Sequence, residues 1–199
     1  YYTPTGRFIQ KPYDDVESYR KDISKRYLNG EFVNADSIKM PDSLKFKTLI
    51  KNRTVFGGGG IMPDFFVPLD TMGSSDYFSE LLRGGLLNTF SYDYTNANRK
   101  DLLKQFPEFL DFNEGFSCDE SFMDLFFAYV AKEDSSLTFV EEDYLMSKDF
   151  ISLRLKAFVA RNLWDTNEFY QVYNGANEIL SRAIDILKSD EYDKIDLDN

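Results

Sequence analysis

Apolar positions along this chain follow two different patterns. Over residues 1–72 they come in short runs broken by turn residues; from residue 73 onward they recur at helical spacing. In the first part, Thr3-Pro4-Thr5-Gly6 predicts a turn, because proline fixes φ and glycine supplies a positive φ. Tyr1-Tyr2 before it reads as the end of a strand, and Phe8-Ile9-Gln10 after it as extended chain. Asp14-Asp15 offers an N-cap for a helix over 15–28 with the stripe Val16, Tyr19, Ile23 and Tyr27, closed by Gly30. Residues 31–46 read as loop with one short extended piece. Thr48-Leu49-Ile50 and Thr54-Val55-Phe56 are β-type runs around a Lys51-Asn52-Arg53 turn. Four glycines follow, Gly57 to Gly60, and then Phe65 to Asp70 reads as a buried edge strand bounded by prolines.

The second part predicts helices. Ser75 caps one over 76–83, closed by Gly84-Gly85, and another spans 86–105 and ends before Pro107. Ser117-x-x-Glu120, Thr138-x-x-Glu141 and Asp165-x-x-Glu168 have capping-box spacing. The first precedes the stripe Phe122, Phe126, Val130. The second precedes a helix reaching Trp164 with Ile151, Leu155, Phe158, Val159 and Leu163 on its apolar side. The third precedes Phe169, Val172, Ala176, Leu180, Ala183 and Leu187, which predicts one helix of five turns. The acidic end, Asp190 to Asn199, is expected to fray. The fold class is therefore α+β, mainly α: short strands and one helix over 1–72, then a helical domain over 73–199.

Composition narrows the chemistry. The 199 residues contain no histidine, which removes the Ser-His-Asp triad, the Cys-His dyad and every His-ligated metal site. The single cysteine, Cys118, excludes an internal disulfide, and its acidic neighbours Asp119 and Glu120 oppose a thiolate, so it reads as structural. What remains open is a Ser-Lys pair, a carboxylate pair or a carboxylate-bound cation. No cofactor is expected, and no catalytic, cofactor-binding or metal-ligating residue is assigned.

Charge divides as the pattern does. Residues 1–72 hold 11 Lys+Arg against 9 Asp+Glu, and residues 73–199 hold 12 against 25. The acidic second part repels phosphate backbones, which argues against nucleic-acid binding. No apolar run reaches the length a membrane helix needs.

The glycine run lacks the Gly-Lys-Ser/Thr ending and following helix of a phosphate loop; it fits a backbone that must pass close to other backbone. The clusters Glu141-Glu142-Asp143 and Asp14-Asp15 fit helix N-termini, where the macrodipole favours acids. Asn52-Arg53-Thr54 matches the glycosylation sequon. Trp164, Tyr170 and Tyr173 read as core or interface aromatics.

Two segments, Tyr1 to Pro12 (YYTPTGRFIQKP) and Gly57 to Pro68 (GGGGIMPDFFVP), resemble the end of the peptidase domain in carboxyl-terminal processing (tail-specific) serine peptidases, and the long insertion between them and the helical tail look like the Bacteroidetes-type members. The matching positions are Pro4, Gly6 and Arg7 in the turn and Gly57, Gly58, Gly59, Gly60, Pro63 and Asp64 in the second segment. The resemblance implies a parent with a PDZ domain and an α/β peptidase domain, using a serine nucleophile and a lysine base held neutral by burial. It implies that residues 1–72 are the C-terminal remnant of that peptidase domain, in a periplasmic or envelope-associated enzyme that takes protein substrates by their C-terminal tails. The family's serine and lysine motifs lie upstream of the turn, so no catalytic residue carries over and the fragment is expected to be inactive alone. Its expected partners are the upstream peptidase and PDZ domains, the substrates of the parent, and further copies of itself. The alternative is a non-enzymatic helical interaction or oligomerisation module.

Overall fold

The computed structural model describes residues 1–69, 73 and 75–194. Among the described residues the protein is mainly helical, 59% by residue, with one two-stranded sheet. It divides into two compact units: Tyr1–Asp70 together with Ile179–Asn199, and Thr71–Glu178. The expected helical segment 73–199 is thus shared between them.

In the first unit, α1 runs Val16–Leu28, and the Asp15 carboxylate accepts hydrogen bonds from the Glu17 and Ser18 N–H groups. The sheet is an antiparallel hairpin, β1 (Lys45–Lys47) with β2 (Thr54–Phe56), in the register Lys45 to Phe56 and Lys47 to Thr54. The first strand lies three residues earlier than the β-type run Thr48-Leu49-Ile50. Thr48 N–H donates to the Arg53 carbonyl and Arg53 N–H to the Thr48 hydroxyl, which closes 48–53 as the connecting loop. No strand forms at Tyr1-Tyr2, nor among the described residues of 65–70, where Asp70 lies outside the described set. Pro63 and Pro68 each remove a ladder donor, and the segment is held by Leu69 N–H donating to the Phe32 carbonyl. Phe65, Phe66 and Val67 are half-buried there, so the expected buried strand is a half-buried coil.

The second unit contains α2 (Asp76–Arg83), α3 (Leu86–Gln105), α4 (Phe109–Gly115), α5 (Glu120–Glu133), α6 (Glu141–Leu163) and α7 (Thr166–Tyr173). The first two have the expected bounds, and α4 was not anticipated. Helix α6 packs against α2, α3 and α7, and α3 packs against α5. The expected stripes supply the core: Phe126, Ile151, Leu155 and Val159 are fully buried. Phe90 gathers the rings of Phe122, Phe126 and Tyr129 at centroid distances of 5.4, 5.2 and 5.4 Å, the edge-to-face separation that ring quadrupoles favour.

Two helix starts differ from the capping-box spacing, and the third keeps its expected cap residue. Asp119, and not Ser117, caps α5, accepting from the Phe122 N–H at 2.9 Å. Val140 precedes α6 with no side-chain cap bond. Asp165 caps α7 through the Thr166 N–H. The expected five-turn helix from 165 to 187 breaks. A short 3-10 turn occupies Asn174–Ala176, Asn177 is extended, and α8 begins anew as Glu178–Lys188. Asn174-Gly175 and Asn177 are weak helix formers, and asparagine side chains compete for local backbone bonds. Beyond the break, Ile186 is buried while Leu180, Ala183 and Leu187 are exposed. Residues 189–194 form turns, and 195–199 lie outside the described set.

Candidate functional site

The most specific geometry in the first unit joins its two glycine-bearing segments. Gly6 N–H donates to the Thr3 carbonyl at 2.8 Å and Thr3 N–H to the Arg7 carbonyl at 2.9 Å, with Gly6 at φ +76°. This is the hydrogen-bond pattern of a three-residue hairpin loop with glycine in the left-handed region. The chain leaving the loop runs against the glycine run. Gly58 N–H donates to the Phe8 carbonyl at 2.7 Å and Gly60 N–H to the Ile9 carbonyl at 2.8 Å. Arg7 Nη1 donates to the Phe56 carbonyl at 3.2 Å. A Cβ on Gly57 would sit 2.9 Å from the Phe8 carbonyl oxygen, so only glycine fits without a shift. Gly58 and Gly60 have φ of +78° and +108°. Gly59 would meet nothing. Asp64 pairs with Arg53 at 3.0 Å, Pro63 is exposed, and Pro4 lies in the turn.

Beside this junction lies an open hollow of about 560 Å³, lined among others by Tyr1, Tyr2, Phe8, Tyr19, Ile23 and the backbone of Gly59-Gly60. The ion pair of Lys11 with Asp22 stands at its wall. The α1 stripe is turned outward: Val16, Tyr19, Ile23 and Tyr27 are all exposed, Ile23 by 70%. Among the described residues of this unit only Gly57 and Ile186 are buried.

Reactive groups in the second unit are differently placed. Cys118 Sγ donates to the Ser152 carbonyl at 3.3 Å, and burial pushes its thiol up to about 12, with Lys156 opposing the shift. Its inertness therefore comes chiefly from desolvation, the acidic neighbour Asp119 adding the smallest share. Lys156 Nζ donates to the Asn113 carbonyl at 2.7 Å, and burial lowers its ammonium from the usual lysine value. Sequence alone gave no signal for Lys156, because its Cys118 neighbour is distant along the chain. Ser75 and Ser147 form a buried hydroxyl pair at 2.8 Å. The Ser75 hydroxyl accepts from Phe78 N–H, and Ser147 accepts from Ser75 N–H. Both serines are thus committed to starting α2 on α6.

The other candidates occupy structural positions. Glu141, Glu142 and Asp143 form the first turn of α6, and Asp143 also accepts from Tyr77 N–H at 3.4 Å. Trp164 packs on Phe109 and Phe112 at 5.8 and 5.4 Å. Tyr173 lies under the Arg154 guanidinium at 4.4 Å, and Tyr170 is exposed. Asn52 sits in the hairpin loop at φ +52°, one of the few side chains that tolerate it. No group of three or more His, Cys, Asp or Glu is placed to hold a metal among the described residues. No helix among them is long and apolar enough to cross a membrane.

Residues 77–165 are similar to a family of unknown function, DUF8443, a little under half of the chain. The matched range opens on Tyr77, the first buried apolar residue of α2, and closes just after α6, so it coincides with the α2–α6 core. No curated protein and no solved structure matches the chain.

Proposed function

We propose that this chain is the C-terminal region of a Ser/Lys-dyad endopeptidase that processes protein substrates from their C-terminal tails. It holds the end of the peptidase domain and an appended helical domain, and supplies neither nucleophile nor base. The observation that carries the reading is the pairing of the two quoted segments. Gly58 and Gly60 of the second segment donate to the Phe8 and Ile9 carbonyls of the first, and the Arg7 guanidinium donates to the carbonyl of Phe56, just before the glycine run. A second support is the exposed α1 stripe beside the open hollow, an apolar face of the sort a larger sheet covers. The parent is periplasmic or envelope-associated on this reading.

The test is an assay on unstructured protein substrates, with the chain alone and with the upstream peptidase and PDZ domains supplied. The expected result is no hydrolysis alone, binding to the supplied domains, and loss of hydrogen exchange at α1 on binding. Hydrolysis by the chain alone that survives replacement of its serines and lysines would end the proposal. So would an upstream coding sequence without a Ser…Lys motif.

The helical unit favours a second reading, as a non-enzymatic interaction or oligomerisation module, because its core closes within 71–178 and its family match stands apart from residues 1–72. Light scattering and pull-down test this second reading. A strict monomer that binds nothing when the upstream domains are present removes the module reading.

A further inference from the structure

The β1–β2 hairpin carries a feature that the peptidase reading does not use. In a chain of net charge −11, the stretch 43–63 contains Lys45, Lys47, Lys51 and Arg53 and no acidic residue. Its loop exposes two aliphatic side chains, Leu49 by 70% and Ile50 by 90%. Neither lines the hollow described above. Lys45 and Lys47 are exposed one residue apart on β1, with Phe46 between them on the other face. Lys45 pairs with Asp42 at 2.6 Å and Arg53 with Asp64 at 3.0 Å, while Lys47 Nζ donates to the neutral Thr54 hydroxyl.

We propose that this hairpin docks on an anionic lipid surface, with Leu49 and Ile50 entering the headgroup–acyl boundary and the lysines of β1 and the loop facing the headgroups. The occupant follows from the chemistry of the tip. Aliphatic side chains at the end of a turn gain by entering a fluid apolar phase, which needs no preformed pocket. Adjacent cations gain from a negative headgroup layer. A nucleic acid would supply the negative charge but nothing for Leu49 and Ile50, and the tip offers no aromatic ring for base stacking. The docking is peripheral and independent of the peptidase reading.

The experiment is co-sedimentation of the full chain with phosphatidylglycerol vesicles and with phosphatidylcholine vesicles at about 0.1 M salt. Binding to the anionic vesicles is expected to be about tenfold tighter, from a few cations each favoured near an anionic surface. Raising the salt several-fold should remove most of that preference, because the Debye length shrinks. Leu49→Asp with Ile50→Asp should lower anionic binding about tenfold, and Lys47→Glu several-fold. All three positions are exposed, so unchanged helical circular dichroism will verify the fold of each variant. Equal binding to both vesicle types, or anionic binding that the tip variant leaves intact, overturns the proposal. A hairpin-dependent dimer in light scattering without vesicle binding assigns the tip to a second copy and also overturns it.

Discussion

The two units solve the problem of apolar side chains in opposite ways. In residues 71–178 the stripes of α2, α3, α5, α6 and α7 face one another, and a continuous cluster from Tyr77 to Val172 leaves the water. In residues 1–70 and 179–199 the apolar stripes of α1 and α8 form as regular helices yet stay largely exposed. Amphipathic spacing is present in both. A stripe makes a core only where other elements bring matching stripes, and the first unit has two short strands and hydrogen-bonded loops to offer. Its specificity lies in backbone fit instead, at the contact of Gly57 to Gly60 with Phe8 and Ile9.

The sharpest way to break this contrast is native-state hydrogen exchange. Amides of α3, α5 and α6 should approach global protection. Those of α1 and of residues 1–12 should exchange on the order of a thousandfold faster, since opening there gives up little buried surface. Equal protection across the chain would refute the contrast. Next in size is Phe126→Ala, which empties a fully buried site and should cost about 3–5 kcal/mol in chemical denaturation. Ile23→Ala, at an exposed position of α1, should stay within about 0.5 kcal/mol. A large loss at Ile23 would mean that α1 is covered in solution.

Glycine substitutions sharpen the comparison inside the first unit. Gly57→Ala drives a Cβ to 2.9 Å from the Phe8 carbonyl oxygen and should destabilise the junction by about 1–3 kcal/mol, read as faster proteolysis of the first twelve residues. Gly59→Ala meets open space and should leave that rate nearly unchanged. The helical unit should also show a pH dependence. Burial raises the Cys118 thiol from 9.0 to about 12, and burial with Tyr144 nearby raises the Tyr77 phenol from 10.0 to about 12. Between the unfolded and folded values the unfolded chain binds fewer protons, so stability falls as pH rises. Stability should be complete below about pH 9 and decline toward pH 12, and Cys118→Ala should reduce the slope. A flat profile over that window would contradict the burial of both groups.

Legibility from sequence tracked the range of the interactions involved. The spans of α2 and α3 and the buried residues of α5 and α6 follow from spacing, because period and burial coincide when one face is apolar. Helix starts followed less well. Ser117 and Thr138 have capping-box spacing, yet Asp119 and Val140 hold the cap positions, since the side-chain choice depends on where the preceding loop arrives. Helix α4 carries too few apolar positions for a periodic signal: Phe112 is fully buried and stacks on Phe116 at 4.6 Å, a contact made by loop and helix together. In the candidate site, the resemblance singled out Gly57 to Gly60, Arg7 and Asp64 but could not give their partners. Lys11 with Asp22 and Lys156 with Cys118 left no sequence signal, because each pairing spans separate elements.

By itself the sequence determined the mainly helical class, the absence of histidine chemistry, and the run of glycines that lets two backbones approach. Those are properties of composition, period and the missing Cβ, all local to the chain. Only the tertiary structure decided that the α1 stripe faces outward and that Gly57 lies against Phe8. Each of those depends on which distant segment comes to pack or hydrogen-bond there, and a regular pattern along the chain states what a face offers without stating what covers it.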